Sequence, residues 1–88
     1  MSYVRTFTDD QGTLWEAIGT PTTVAHGRLG ARLAFRRADR AEVVPGDVTF
    51  NSEEAADFAL ATMSDRELRR RLRLALEARR GAASPSGQ

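Results

Sequence analysis

The last third of the chain carries the clearest pattern of apolar and polar positions. Between Met63 and Gly81 (MSDRELRRRLRLALEARRG), Leu68, Leu72, Ala75 and Leu76 fall on one stripe at 100° per residue. Arg66, Arg69, Arg70, Arg73 and Arg80 gather on the far side around Glu77. The spacing predicts a long amphipathic helix with its leucine stripe toward a core. Ser64 is the natural N-cap, Glu67 three positions on completes a capping box, and Met63 and Leu68 occupy the staple positions. Asp65 and Glu67 in the first turn and Arg79 and Arg80 in the last suit the helix macrodipole, and Gly81 offers a left-handed C-cap. Leu74, beside Arg71 and Ala78, lies off the main stripe and leaves a smaller apolar flank that one sheet does not cover.

The first half changes period from 3.6 to 2. Tyr3 to Thr8 and Thr13 to Ile18 are β-rich runs around Asp9, Asp10, Gln11 and Gly12. Pairing Asp9 with Thr13 makes a bulged three-residue turn with Gly12 left-handed and sets Phe7 opposite Trp15. Tyr3, Phe7, Trp15 and Ala17 then share one face, and Val4, Leu14 and Ile18 the other. A two-layer domain buries only one of them, so the other is left for something outside the chain.

Gly19 to Gly27 reads as a turn-rich connection in which Thr22 to Ala25 extend a strand and His26-Gly27 turns it. Alternation returns from Leu29 to Arg37, with Leu29, Ala31, Leu33 and Phe35 on one side. Ala41 to Val44 reads as an edge strand ended by Pro45, with Pro45-Gly46-Asp47 as a turn. A helix is expected at about 52 to 61, begun by Asn51 or Ser52, with Glu53 and Glu54 at its positive end. Its larger apolar residues are only Phe58 and Leu60, so it should be short and weakly held; Thr62 and Met63 separate it from the long helix.

These elements predict an α+β fold: a three- to four-stranded antiparallel sheet, then a short helix and a long amphipathic C-terminal helix packed on one face. Residues 1–81 form a single small domain and 82–88 (AASPSGQ) a flexible tail, ordered only if a partner holds it. A chain of 88 residues supports one core of modest stability.

Charge modifies this picture. Thirteen basic residues stand against twelve acidic ones, and a net charge of +1 argues against a chain built mainly to neutralise phosphates. The balance conceals a segregation: residues 63–88 hold seven arginines against three acids, whereas residues 31–62 hold four against six. Every basic residue is arginine, and such guanidinium groups suit bidentate contacts with carboxylates.

Candidate chemistry is sparse. There is no cysteine, which excludes disulfides, thiolate nucleophiles and cysteine-ligated metals. His26, the one histidine, precedes a glycine in a loop with no neighbouring carboxylate and reads as a turn residue. The acid pairs Asp9-Asp10 and Glu53-Glu54 are accounted for by a turn and a helix start. Gly27 and Gly30 lack a phosphate-loop context, and the serines lack a nucleophile motif. The expectation is a non-enzyme with no catalytic, cofactor or metal site. No apolar run approaches the ~18 residues of a membrane span and the N-terminus has no secretion signal, so the expected location is the cytoplasm, including the cytoplasmic face of a membrane complex.

The stretch R-T-F-T-D-x-x-G-x-x-W from Arg5 to Trp15, with M-S-D-R-E-L from Met63 to Leu68, resembles a loose group of short uncharacterised bacterial proteins that pair a hairpin with a capped helix. In build the chain is also similar to small accessory subunits of large bacterial assemblies, such as photosynthetic reaction-centre and light-harvesting complexes or RNA polymerase. That likeness implies a non-catalytic stabilising subunit whose partners are protein chains. The expected contact residues are Tyr3, Phe7 and Trp15 on the hairpin and Arg66, Arg69, Arg70, Arg73 and Leu74 on the helix. The rival expectation is a small nucleic-acid-binding or polymerase-associated regulator using the arginine-rich helix.

Overall fold

In a computed structural model that describes residues 3–83, four strands and two helices follow in order. The strands are β1 (Arg5–Thr8), β2 (Leu14–Thr23), β3 (Leu29–Arg37) and β4 (Val43–Phe50), and the helices α1 (Glu53–Thr62) and α2 (Asp65–Ala83). The sheet is antiparallel with spatial order β1-β2-β3-β4, the meander that short connections between successive strands dictate. This is the expected α+β arrangement.

The first hairpin forms as its turn residues require. The Asp9 N–H donates to the Thr13 carbonyl at 2.9 Å, Gly12 takes φ +82°, and Phe7 lies opposite Trp15. The Asp9 carboxylate accepts from the N–H groups of Gln11 and Thr13 through Oδ1 and from the Trp15 indole through Oδ2, all within 2.9 Å.

Both helices pack on the face that carries Phe7, Trp15, Ala17, Leu33 and Phe35, and they close the core with Leu60, Leu68, Leu72 and Ala75. Phe7 and Phe35 meet edge to face with ring centroids 6.0 Å apart. The aromatic side of the hairpin is therefore interior, with Phe7 4% and Trp15 7% exposed. The aliphatic side, with Val4, Leu14 and Val43 exposed, is the one left open.

Two boundaries differ from the sequence expectation. β2 runs unbroken from Leu14 to Thr23 through Gly19 and Pro21, because its distal half pairs fully with β3. The turn comes at His26 and Gly27, where the sequence places it, both at positive φ (63° and 72°). Pro45 does not end its strand: β4 continues to Phe50, and Pro45-Gly46-Asp47 marks a bulge where the register with β3 shifts between Arg32 and Ala34. An edge strand tolerates proline because its outward N–H has no ladder bond to lose. At the bulge Gly46 passes so close to β3 that a Cβ there would lie 2.8 Å from the Leu33 carbonyl oxygen.

The long helix also departs from its forecast at both ends. Ser64 accepts from the Glu67 N–H at 3.1 Å, but the Glu67 carboxylate turns away from the capping box to bind Arg71 Nε at 2.8 Å. At the other end α2 passes through Gly81 to Ala83, so Gly81 is not the C-cap, and residues 82 and 83 belong to the helix. The rest of the expected tail, 84–88, lies outside the described residues. Of the two caps expected for the shorter helix, Ser52 is the one used, with the Ala55 N–H donating to Ser52 Oγ at 3.1 Å. It buries Ala56 and Leu60 while Phe58 stands 71% exposed.

Candidate interaction surface

The arginines fall into two groups, separated by what holds each guanidinium. Arg5 lies on β1 on the helix side of the sheet and reaches the junction between α1 and α2. It donates to the carbonyls of Leu60 and Met63, each at 2.8 Å, and to Asp65 Oδ1 at 2.6 Å. These bonds satisfy acceptors left open where α1 ends and fix the first turn of α2 against the sheet. Arg69 Nε donates to the Thr8 carbonyl at 2.8 Å. Arg71 bridges Glu67 and, at 3.8 Å, Asp47 on β4, and Arg79 pairs with Glu42. These arginines tie α2 to both edges of the sheet.

The second group faces outward along α2. Arg66, Arg70, Arg73 and Arg80 are exposed, with Glu77 between the last two. Arg70 is 3.5 Å from Glu67 and Arg73 4.0 Å from Asp10, contacts at the limit of ion pairing, both exposed and worth little. Among the described residues Arg66 and Arg80 have no carboxylate within 4.0 Å. Arg66, Arg69, Arg70 and Arg73 line a groove of about 450 Å³ with Ser64, Glu67 and Asp10. Four guanidinium groups against two carboxylates leave it net positive. Asp10, Arg69 and Arg73 also border a second hollow of about 200 Å³, with Leu76 in its wall and Arg80 at its far end. The two hollows run along α2 beneath the β1–β2 turn.

This geometry sorts the residues expected to make contacts. Arg66, Arg69, Arg70 and Arg73 come together in one groove, although Arg69 is half-buried and engaged with Thr8. Phe7 and Trp15 are not surface residues: the helices cover their face of the sheet, so neither ring can meet a partner while the domain is folded. Tyr3 is exposed, its N–H bound to Asp57 Oδ1 at 3.1 Å, and Leu74 is half-buried. Asp10 and the arginine clamps at Arg5 and Arg79 escaped the sequence reading, because their partners lie far away along the chain.

The opposite face of the sheet is open. The register sets Ile18 beside Ala34 and Ala34 beside Pro45, and a neighbouring row pairs Glu16 with Arg36 at 2.6 Å. Among the described residues no group of three or more His, Cys, Asp or Glu side chains is placed to hold a metal ion, and no helix is long and apolar enough to cross a membrane.

The Asp9 carboxyl is clearly displaced from its ordinary pKa. Burial works to raise its pKa, but the hydrogen bonds from Thr13, Trp15 and Gln11, together with the Arg37 charge, outweigh it and hold the pKa below the ordinary aspartate value. Its role is to brace the turn that overhangs the groove.

No protein-family model, curated protein or solved structure matches the chain.

Proposed function

We propose that this protein is a non-catalytic accessory subunit that docks on an acidic surface of a partner protein through the outward arginines of α2. The observation that carries the reading is the division of labour among the arginines. Arg5, Arg69, Arg71 and Arg79 are used within the fold, whereas Arg66, Arg70, Arg73 and Arg80 retain most of their donors for an external acceptor. Guanidinium forks match carboxylates bidentately, and a charged rim steers encounter between chains. The acidic residues Asp10, Glu67 and Glu77 in and beside the groove disfavour a continuous phosphate backbone, which would pass each of them. The proposed setting is the cytoplasm, including the cytoplasmic face of a membrane assembly, where anionic headgroups would add attraction.

The test is a titration of the intact chain with a labelled glutamate-rich peptide and with a single-stranded oligonucleotide of equal charge, over a range of salt. Tighter binding of the peptide, abolished by the combined substitutions Arg66→Glu, Arg70→Glu and Arg73→Glu, is the expected result. Preferential binding of the oligonucleotide with a steep log-linear salt dependence would overturn the reading in favour of a nucleic-acid binder.

A further inference from the structure

Resting on that reading, we infer that the acidic partner presents an α-helix that lies antiparallel along α2. The exposed charged residues Arg66, Arg70, Arg73, Glu77 and Arg80 follow one another at intervals of four, three, four and three. That is the seam spacing on which two helices stay in register side by side. At 1.5 Å rise per residue the row is about 21 Å long, four turns of a partner helix, with neighbouring charges about 6 and 4.5 Å apart along the axis. Carboxylates on a helix recur at these same intervals, whereas those of an extended strand, at about 6.6 to 6.8 Å for every second residue, drift out of step.

Two further features select the occupant. The row is four-fifths positive, so a second copy of α2 is repelled and the partner row must be acidic. Glu77 breaks the run and specifies one basic residue in the partner at that level. The macrodipoles favour the antiparallel orientation, which places the negative C-terminus of the partner beside the positive N-terminus of α2. Read from its N-terminus, the matching helix carries Glu-x2-Lys-x3-Glu-x2-Glu-x3-Glu, the lysine facing Glu77. Asp10, on the turn above Arg73, narrows the groove and competes weakly for that guanidinium.

The probe is a labelled helical peptide of that pattern, compared with a permuted peptide of equal composition and helicity, each titrated against the intact chain. The matched peptide should bind about tenfold more tightly, the sum of a few exposed ion pairs. The Glu77→Arg substitution should reverse the preference between the lysine-bearing peptide and one with glutamate at that position, and Asp10→Asn should tighten both. Equal affinity for matched and permuted peptides, with both lost in the triple arginine variant, would overturn the helical register and leave acidic docking standing. No binding of either peptide while an oligonucleotide binds would overturn both.

Discussion

The indole of Trp15 donates a hydrogen bond to the Asp9 carboxylate at 2.9 Å, joining the largest core side chain to the turn above the arginine groove. The same carboxylate receives the Gln11 and Thr13 N–H groups, so a core residue and a surface loop share one acceptor. Removing the ring should therefore unsettle both. Trp15→Ala should cost about 3–5 kcal/mol in chemical denaturation. Trp15→Phe should cost about 1–3 kcal/mol, from the lost donor and the altered fill. A near-neutral Trp15→Ala would place the ring outside the core.

Asp9 also gives stability a pH dependence of known sign. Its folded pKa lies below the ordinary 3.8, so the unfolded chain takes up the proton first. The stabilisation is complete above the unfolded value and is lost as pH falls through the folded one. Melting temperature followed from pH 6 down to pH 2 should decline, and Asp9→Asn should be less stable at neutral pH with a shallower decline below pH 4. An unchanged slope in that variant would remove Asp9 from the account.

Arg5 should matter far more than its partner acid. Arg5→Met leaves the carbonyls of Leu60 and Met63 without their donor at a half-buried helix junction, and should cost about 2–4 kcal/mol. Asp65 is half-exposed, so Asp65→Asn should cost no more than about 1 kcal/mol. Comparable losses in the two variants would mean that the ion pair, rather than the carbonyl clamp, holds α2 in place.

Two glycines should respond in opposite directions. A Cβ at Gly30 would collide with the Phe50 carbonyl oxygen and lie 2.9 Å from Val24 Cγ1, so Gly30→Ala should force β3 and β4 apart and destabilise by more than about 2 kcal/mol. Gly81 sits within α2 with open space around it, and Gly81→Ala should stabilise by about 0.5–1 kcal/mol. Paired thermal melts check both, and a destabilising Gly81→Ala would mean that the glycine ends the helix after all.

Phe58 is a surface residue on a helix that buries Ala56 and Leu60 instead. Phe58→Ser should change stability by no more than about 0.5 kcal/mol. A larger loss in denaturation would show that the ring is covered.

By itself the sequence determined whatever short-range physics decides. The Ser52 and Ser64 caps, the Gly12 turn, the Phe7–Trp15 register and the Leu68, Leu72 and Ala75 stripe each follow from a few neighbouring residues, whose hydrogen bonds and periodicity act within one or two turns of chain. The proline and glycine at 45 and 46 were legible as a break, but whether a break is a turn or a bulge depends on the partner strand beneath it.

Tertiary structure decided which face of the sheet the helices cover. Either face of the hairpin had enough apolar surface to be buried, and the aromatic one was chosen together with Leu33, Phe35 and the leucines of α2, a cooperative packing that no single segment encodes. It also decided the fate of each arginine. Local spacing places Arg69 and Arg73 on one flank of α2, yet only the folded sheet brings the Thr8 carbonyl to the first and leaves the second facing outward, because those acceptors come from chain some sixty residues away.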